Sequence, residues 1–248
     1  MIASIRAEFR KLLTVRSTYV LSAVCLAFAA LIGFYILGFR ASSGTSMNPD
    51  ALTSAVTTTI SITSLFIALA GVLLITHEYR YNTIMYTLTA ARRRWYTLVS
   101  KTLVVTLFSV VATVILCLIV PQLMKLGLHM HHVSLVHQNI DYGVLLPHAI
   151  FYVWGNVMFG LIISFILRSQ VGAIVVLLVF PAIVENLLTL LLKHNSIYLP
   201  FQSLTPVLTD AHAAAHQLSA AQGMLVALTY VVVGWIVSLV LLQKRDAN

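Results

Sequence analysis

The sequence predicts an all-α polytopic membrane protein with six transmembrane helices. Of its 248 residues, 60% are hydrophobic and only 9% are charged, whereas soluble domains carry about 25% charged residues. Too few charged side chains are present to cover a soluble surface. Bilayer-spanning helices need about 20 largely apolar residues, and six windows qualify, at about 18–39, 54–76, 102–124, 148–167, 171–192 and 222–242. We therefore expect a single transmembrane domain over residues 1–248.

The basic residues behind the net charge of +8 lie mainly on one side of the predicted membrane topology. Twelve of the fifteen Lys and Arg residues precede span 1, lie between spans 2 and 3 or 4 and 5, or follow span 6. The other three, Arg40, Lys125 and Lys193, lie on the opposite side. The positive-inside rule then places both termini in the cytoplasm and the chain in the cell membrane. The topology therefore accounts for the excess of basic residues, and no nucleic-acid partner is needed to explain it.

Residues 1–17 have the pattern of an amphipathic helix that lies in the membrane interface. The apolar side chains fall on one helical face: Ile2, Ile5, Phe9, Leu12 and Leu13. Basic residues, among them Arg6, Arg10 and Lys11, flank this face and would lie near anionic headgroups. The alternative is a plain charge cluster that only sets the topology.

The two cysteines predict no disulfide. Cys25 lies midway along span 1 and Cys117 late in span 3. A rise of 1.5 Å per residue puts them about 10 Å apart along the membrane normal, too far for a bridge.

Span 2 begins with a dense polar face. Eight residues carry hydroxyl groups within twelve positions: Thr53, Ser54, Thr57, Thr58, Thr59, Ser61, Thr63 and Ser64. Ser and Thr can return their hydroxyls to the preceding turn, but this density favours a water-facing or subunit-facing surface over lipid. We expect Thr57, Thr58 and Ser61 to belong to a substrate pathway.

The junction 77–101 between spans 2 and 3 predicts a short cytoplasmic helix. It contains neither Pro nor Gly, and Ile84 and Leu88 are four residues apart. A helix that bridges two spans can act as a lever, because a force on it reaches both. The alternative is a basic loop in contact with lipid headgroups.

Glu185 is the conspicuous ionisable residue within a span, four residues after Pro181. A carboxyl group in hydrocarbon is costly and suggests function, so one interpretation places Glu185 in the substrate pathway, where Pro181 would open the helix. The other interpretation is a carboxyl group, protonated or bonded to Asn186 or Thr189, that packs a dimer.

The outer loops are unusual in two ways. The first contains His129, His131 and His132, a pattern that can ligate copper or zinc; because it lacks Cys and clustered carboxylates, we expect exposed or interfacial histidines and no metal. The second, 193–221, is apolar for an exposed loop and should be buried or re-entrant. Its alternative is a loop that lies on the membrane surface.

The junction between spans 2 and 3 reads Glu78-Tyr79-Arg80, then Thr83-Ile84, Leu88, Arg92 and Lys101. It resembles the cytoplasmic loop of ABC-2-type transporter permeases, which often show E-Y-R-x-G-T-I-R, a Leu four residues on, then Arg and Lys. The likeness continues at Leu167-Arg168-Ser169-Gln170 and at Tyr198-Leu199-Pro200-Phe201. Asn82 replaces the family's Gly, and Met85 replaces its Arg.

The resemblance implies the permease subunit of an ATP-binding cassette exporter. Two copies, or one copy and a paralogue, would pair with two ATP-binding subunits that hold ATP and Mg²⁺. Residues 79–95 would form the coupling helix, and the contacts to the ATPase would come from Glu78, Tyr79, Arg80, Thr83, Ile84, Leu88 and Arg92. Independently, the chain has no G-x-x-x-x-G-K-[ST] loop, so energy has to come from a partner and we expect no enzyme activity.

Two other classes of function fit the residues. A membrane enzyme would use Glu185 and the outer-loop histidines as acid–base or metal groups, which requires that they meet at one depth. A peptide-binding immunity or assembly protein would not transport at all and would tolerate changes in the junction.

Overall fold

The computed structural model describes residues 2–38, 51–81, 83–84, 86, 94–130, 140–209 and 218–244. Within these residues the protein is helical and has no strand. The α-helices are α1 (Ile2–Thr14), α2 (Arg16–Gly38), α3 (Ala51–Arg80), α4 (Arg94–Met130), α5 (Tyr142–Leu167), α6 (Gln170–Val179), α7 (Glu185–Leu192), α8 (Thr205–Thr209) and α9 (Ala220–Lys244). A π-helical turn, Phe180–Val184, joins α6 to α7, and two 3₁₀ turns, Lys193–Tyr198 and Gln202–Leu204, precede α8.

In the described part of the chain, six helical segments are long and apolar enough to cross a membrane: α2, α3, α4, α5, α6 with α7, and α9. Each contains or overlaps one predicted span, so the predicted fold class is confirmed and the chain is a multi-pass membrane protein. Helix α4 extends further than predicted, over 37 residues or about 55 Å. The extension at its start is stabilised by the packing of α1 against it.

Helices α3 and α5 form the centre of the bundle. Helix α3 packs against α2, α4, α5 and α6, and α5 also packs against α4 and α9. Close approach of α3 and α5 depends on small residues, because a Cβ atom on Gly160 would lie 2.9 Å from Val72 Cγ2. The outer helices α2, α6–α7 and α9 expose most of their apolar side chains, as expected for surfaces that face lipid or another membrane subunit.

Both cysteines, Cys25 and Cys117, are buried free thiols, as predicted. The end of the bundle that holds Lys11, Arg80, Lys101, Arg168 and Lys244 is called the basic end below. Contacts between α1 and α4 and between Arg168 and the last turns of α9 join these residues into one surface.

The segment 193–209 folds back along the bundle between α5 and α9. Its buried residues are Ser203, Leu204, Pro206, Val207 and Leu208. The Phe201 ring lies 5.0 Å from that of Phe159 in α5 and 6.2 Å from that of Phe180. Phe180 lies twelve residues before Leu192, the last residue of α7, which is roughly 18 Å along the helix axis. The segment after α7 therefore has to return along the bundle for Phe201 to lie near Phe180. The predicted loop 193–221 is therefore buried in part, and its residues 210–217 lie outside the described residues.

Gly223→Ala should destabilise the docking of this segment on α9. A Cβ atom at residue 223 would lie 2.5 Å from the backbone oxygen of Ser203, so backbone has to move, and overpacking of this kind costs about 1–3 kcal/mol. The matched control is Gly33→Ala in α2, where the nearest atom is the flexible Met124 Cε at 3.4 Å. Thermal unfolding in mild detergent measures both. Equal melting temperatures for the two variants would contradict the close packing of 193–209 on α9.

Candidate functional site

The basic end of the bundle contains a closed ring of four alternating charges, Glu8, Lys11, Glu78 and Lys101, called the four-charge ring below. Lys101 Nζ lies 3.0 Å from Glu8 Oε2 and 2.8 Å from Glu78 Oε1. Lys11 Nζ lies 2.9 Å from Glu8 Oε1 and 2.5 Å from Glu78 Oε1. Each charge has two partners of opposite sign, so the ring is electrically neutral.

Helix geometry explains how three separate elements meet at the ring. Glu8 and Lys11 are three residues apart in α1 and therefore share one face of it. Glu78 lies in the last turn of α3, and Lys101 lies two turns into α4. The ring thus ties the N-terminal helix to the two helix ends that flank the junction 81–93.

Three of the four charges are removed from solvent. The exposed fraction of the side chain is 1% for Lys101, 2% for Glu8 and 6% for Glu78, against 38% for Lys11. Burying an ion costs several kcal/mol, which only good pairing offsets. Burial disfavours the charge on Lys11, but hydrogen bonds and attraction from Glu78 and Glu8 outweigh it, so the pKa of Lys11 is raised. The charged form of Lys11 is therefore favoured within the ring.

Helix α1 contributes two charged residues to the four-charge ring, in addition to its exposed apolar side chains. Residues 2–14 form the predicted helix, and Phe9 and Leu13 are exposed, which leaves them available to a membrane. The sequence pattern placed Lys11 near lipid headgroups, and it used Lys101 for the topology and as the last residue of the junction motif. The structure instead pairs both with carboxylates. One signal was present: Glu8 is the only acidic residue among the first 49.

A defined turn follows α3 and begins the junction. The Thr83 amide donates to the Glu78 carbonyl over 2.9 Å, the six-to-one contact of a Schellman helix end. The Tyr81 amide donates to the His77 carbonyl over 3.0 Å, and the two rings stack with centroids 5.9 Å apart. The helix end is therefore fixed by both backbone and side-chain contacts. Asn82 lies outside the described residues.

The predicted ATPase-contacting residues divide into two groups. Glu78 and Ile84 are buried and Tyr79 is half-buried, so they hold the junction in place. Arg80 and Thr83 are exposed, as are Tyr81 and Tyr86, which the sequence motif did not single out. The exposed fraction of Tyr86 is 77%. The two remaining predicted residues, Leu88 and Arg92, lie outside the described residues.

The polar face of α3 is satisfied largely within its own helix. The hydroxyls of Thr57 and Thr58 donate to the Ser54 carbonyl over 3.0 and 2.7 Å. Ser61 Oγ lies 2.9 Å from Tyr152 Oη of α5, which makes it a contact between two central helices. Of the three predicted pathway residues in this span, Thr58 is exposed, Ser61 is half-buried and Thr57 is buried.

Glu185 is fully buried and bonded to backbone. Its Oε1 accepts from the Phe201 amide at 2.9 Å and its Oε2 accepts from the Gln202 amide at 3.0 Å. The two amides begin the 3₁₀ turn Gln202–Leu204, where a carboxylate is favourable. The partners are therefore neither Asn186 nor Thr189, which bond to carbonyls of their own helix. The π-helical turn at Pro181 sets the register that places Glu185 there.

The histidines form no recognisable metal site in the part of the chain that the structure describes. His129 is exposed near the end of α4, and His131 and His132 lie outside the described residues. Among the described residues, no three His, Cys, Asp or Glu side chains cluster as metal ligands would.

No protein-family model matches this chain, and no curated protein matches it.

Proposed function

We propose that this chain is the permease subunit of an ATP-binding cassette exporter of the ABC-2 type. In this proposal the basic end faces the cytoplasm, and the chain lies in the cell membrane with both termini inside. A separate ATPase subunit holds ATP and Mg²⁺ and docks on the junction that follows α3. A second permease copy or a paralogue completes the transporter.

The observation that carries the proposal is the four-charge ring at the root of the junction. A junction that transmits force needs a stiff connection to the membrane helices. Glu78 provides one, since it is the last-turn residue of α3 and bonds both to Lys101 of α4 and to Lys11 of α1. A displacement of the junction would therefore move three helices together. A loop that only contacts headgroups needs no such buried ions, which cost free energy to assemble.

The exposed residues beside the ring supply a docking surface. Arg80, Tyr81, Thr83 and Tyr86 are all exposed and lie within the seven positions 80–86. Aromatic residues and Arg are enriched in protein interfaces. The ring would thus position these side chains toward the ATPase.

The substrate pathway is proposed along the exposed part of the α3 polar face. Thr58 is exposed and Ser61 is half-buried, so both can line a cavity between two permease halves. Glu185 contributes through the position of segment 193–209, because both of its oxygens are bonded to that segment.

Tyr86→Ala should abolish or strongly reduce association with the ATPase. An exposed aromatic anchor in an interface contributes about 2 kcal/mol or more, so recovery of the partner should fall at least about tenfold. The tagged chain is purified from its native membranes in mild detergent, its partners are identified by mass spectrometry, and ATPase activity is measured.

The matched control is Tyr198→Ala, which removes an exposed tyrosine from the 3₁₀ turn after α7. It should leave ATPase recovery unchanged. If the folded wild-type chain is recovered from several detergents without any ATP-binding subunit, the exporter proposal fails. If both tyrosine variants retain the ATPase equally, the docking surface is elsewhere.

The two alternative functions predict different outcomes for the same experiment. A membrane enzyme or a peptide-binding immunity protein would purify without an ATPase. Neither would depend on Tyr86.

A further inference from the structure

A second polar site lies at the basic end, beside the four-charge ring but separate from it. It is a pocket of about 640 Å³ between the end of α3 and the turn that joins α5 to α6. Its polar lining consists of Tyr79, Arg80, Arg168, Ser169 and Gln170. It is called the arginine pocket below.

The side chains that line the arginine pocket carry positive charge. Two guanidinium groups line it, and no carboxylate does among the described residues. The nearest acidic residue in sequence, Glu78, is bonded to Lys11 and Lys101. The N-terminus of α6, capped by Ser169, adds a partial positive charge. The Tyr79 hydroxyl is buried and has no hydrogen-bond partner among the described residues.

The fold holds both arginines in position. Arg168 ends α5 with φ of 52°, a left-handed conformation that is uncommon for residues other than Gly, and its Nη2 donates to the Leu241 carbonyl of α9 over 3.2 Å. Arg80 Nη1 lies 3.5 Å from Gln170 Oε1, and its guanidinium lies 5.6 Å from the centre of the Tyr81 ring. Two guanidinium groups around one cavity suit a tetrahedral oxyanion, because guanidinium N–H groups donate charge-assisted hydrogen bonds to phosphate oxygens.

We propose that the arginine pocket binds a phosphate group. One side of the pocket is formed by Val171 and Ile174, and Val171 is strongly exposed on the outer face of α6. A phosphate held there has apolar surface beside it, which suits an acidic phospholipid whose acyl chains follow α6. Basic pockets between membrane helices bind such headgroups. A soluble phosphate compound is the other source of the same chemistry.

The test uses the full-length chain alone in mild detergent, so its outcome is independent of any ATPase. The chain is titrated with short-chain phosphatidylglycerol, with zwitterionic short-chain phosphatidylcholine and with inorganic phosphate. Binding is measured by native mass spectrometry and calorimetry. We expect phosphatidylglycerol to bind at least about tenfold more tightly than phosphatidylcholine. Phosphatidylglycerol binding should weaken about tenfold in each of the variants Arg80→Gln and Arg168→Gln. Each variant loses one charged hydrogen-bonding partner of the phosphate, and this loss corresponds to about a tenfold change in affinity.

The matched control is Arg16→Gln, which removes an exposed arginine at the start of α2 outside the pocket and should change binding less than about twofold. If Arg168→Gln loses its fold together with the bond to α9, the Arg80→Gln variant tests the proposal, since Arg80 is exposed. Phosphate that competes with the lipid, with the same dependence on Arg80, would identify a soluble ligand; lipid binding that phosphate cannot displace would identify a headgroup. Equal binding of the two lipids, or equal effects of Arg80→Gln and Arg16→Gln, would overturn the proposal.

Discussion

Lys101→Met is expected to lower the free energy of unfolding by about 3–5 kcal/mol, the usual cost of removing one partner from a buried ion pair. Lys101 is almost completely buried and bonds to both Glu8 and Glu78. Without it, two carboxylates face each other near the protein interior, and only the partly exposed Lys11 remains between them. Chemical unfolding in mild detergent, followed by tryptophan fluorescence, measures the loss.

Lys125→Met is the control for this substitution. Lys125 lies on the same helix, is half-buried and takes part in none of the ion pairs among the described residues. Its replacement should cost less than about 1 kcal/mol. The double variant Glu8→Met with Lys101→Met removes one charge of each sign and should recover part of the stability, because Lys11 and Glu78 still pair. If Lys101→Met and Lys125→Met are equally stable, the four-charge ring does not stabilise the fold.

Glu185→Leu is expected to release the segment 193–209 from the bundle and to cost about 2–6 kcal/mol. The substitution leaves the amides of Phe201 and Gln202 without their acceptor, and each buried unsatisfied donor costs about 1–3 kcal/mol. Glu185→Gln keeps one carbonyl oxygen and should lose less. Maleimide labelling of Ser203→Cys, in a chain with Cys25 and Cys117 replaced by Ala, reports on the release because residue 203 is fully buried.

Labelling in the Glu185→Leu background should be at least about tenfold faster than in the parent. The reason is that lowering the free energy of opening of the segment by about 1.4 kcal/mol raises the open population about tenfold. Asn186→Leu is the control, since Asn186 is exposed and bonds only to the Ala182 carbonyl of the preceding turn among its recorded contacts. Equal labelling rates in the two backgrounds would show that Glu185 does not hold the segment.

The predicted spans correspond closely to the helices because bilayer crossing leaves a strong sequence signal. Twenty apolar residues without charges have few other folds available. Helix α4 begins eight residues before the predicted span 102–124, since Arg94 to Lys101 include charges that a hydropathy argument excludes from a span. The structure satisfies Lys101 through residues of α1 and α3, which are distant in sequence.

The bonding partners of the three glutamates could not be predicted from the sequence. Glu8, Glu78 and Glu185 are the only glutamates in the chain, and all three are buried. The sequence singled out Glu185 as costly in a span and Glu78 as part of a motif, but it named no partner for Glu78 and the wrong ones for Glu185. Glu8 was overlooked within a basic segment.

Apolar composition and period along the chain were sufficient to predict the six-span helical fold and favoured a helix near the N-terminus. The same patterns left open whether the loop after span 5 is buried or lies on the membrane surface. The packing of the helices shows that Glu8, Lys11, Glu78 and Lys101 form one ring, that Glu185 bonds to the amides of residues 201 and 202, and that Arg80 and Arg168 line one pocket. Apart from the pair Glu8–Lys11, these contacts join residues 16 to 93 positions apart. Their distances depend on how the helices pack, and helix packing is set by side-chain shape across the whole bundle.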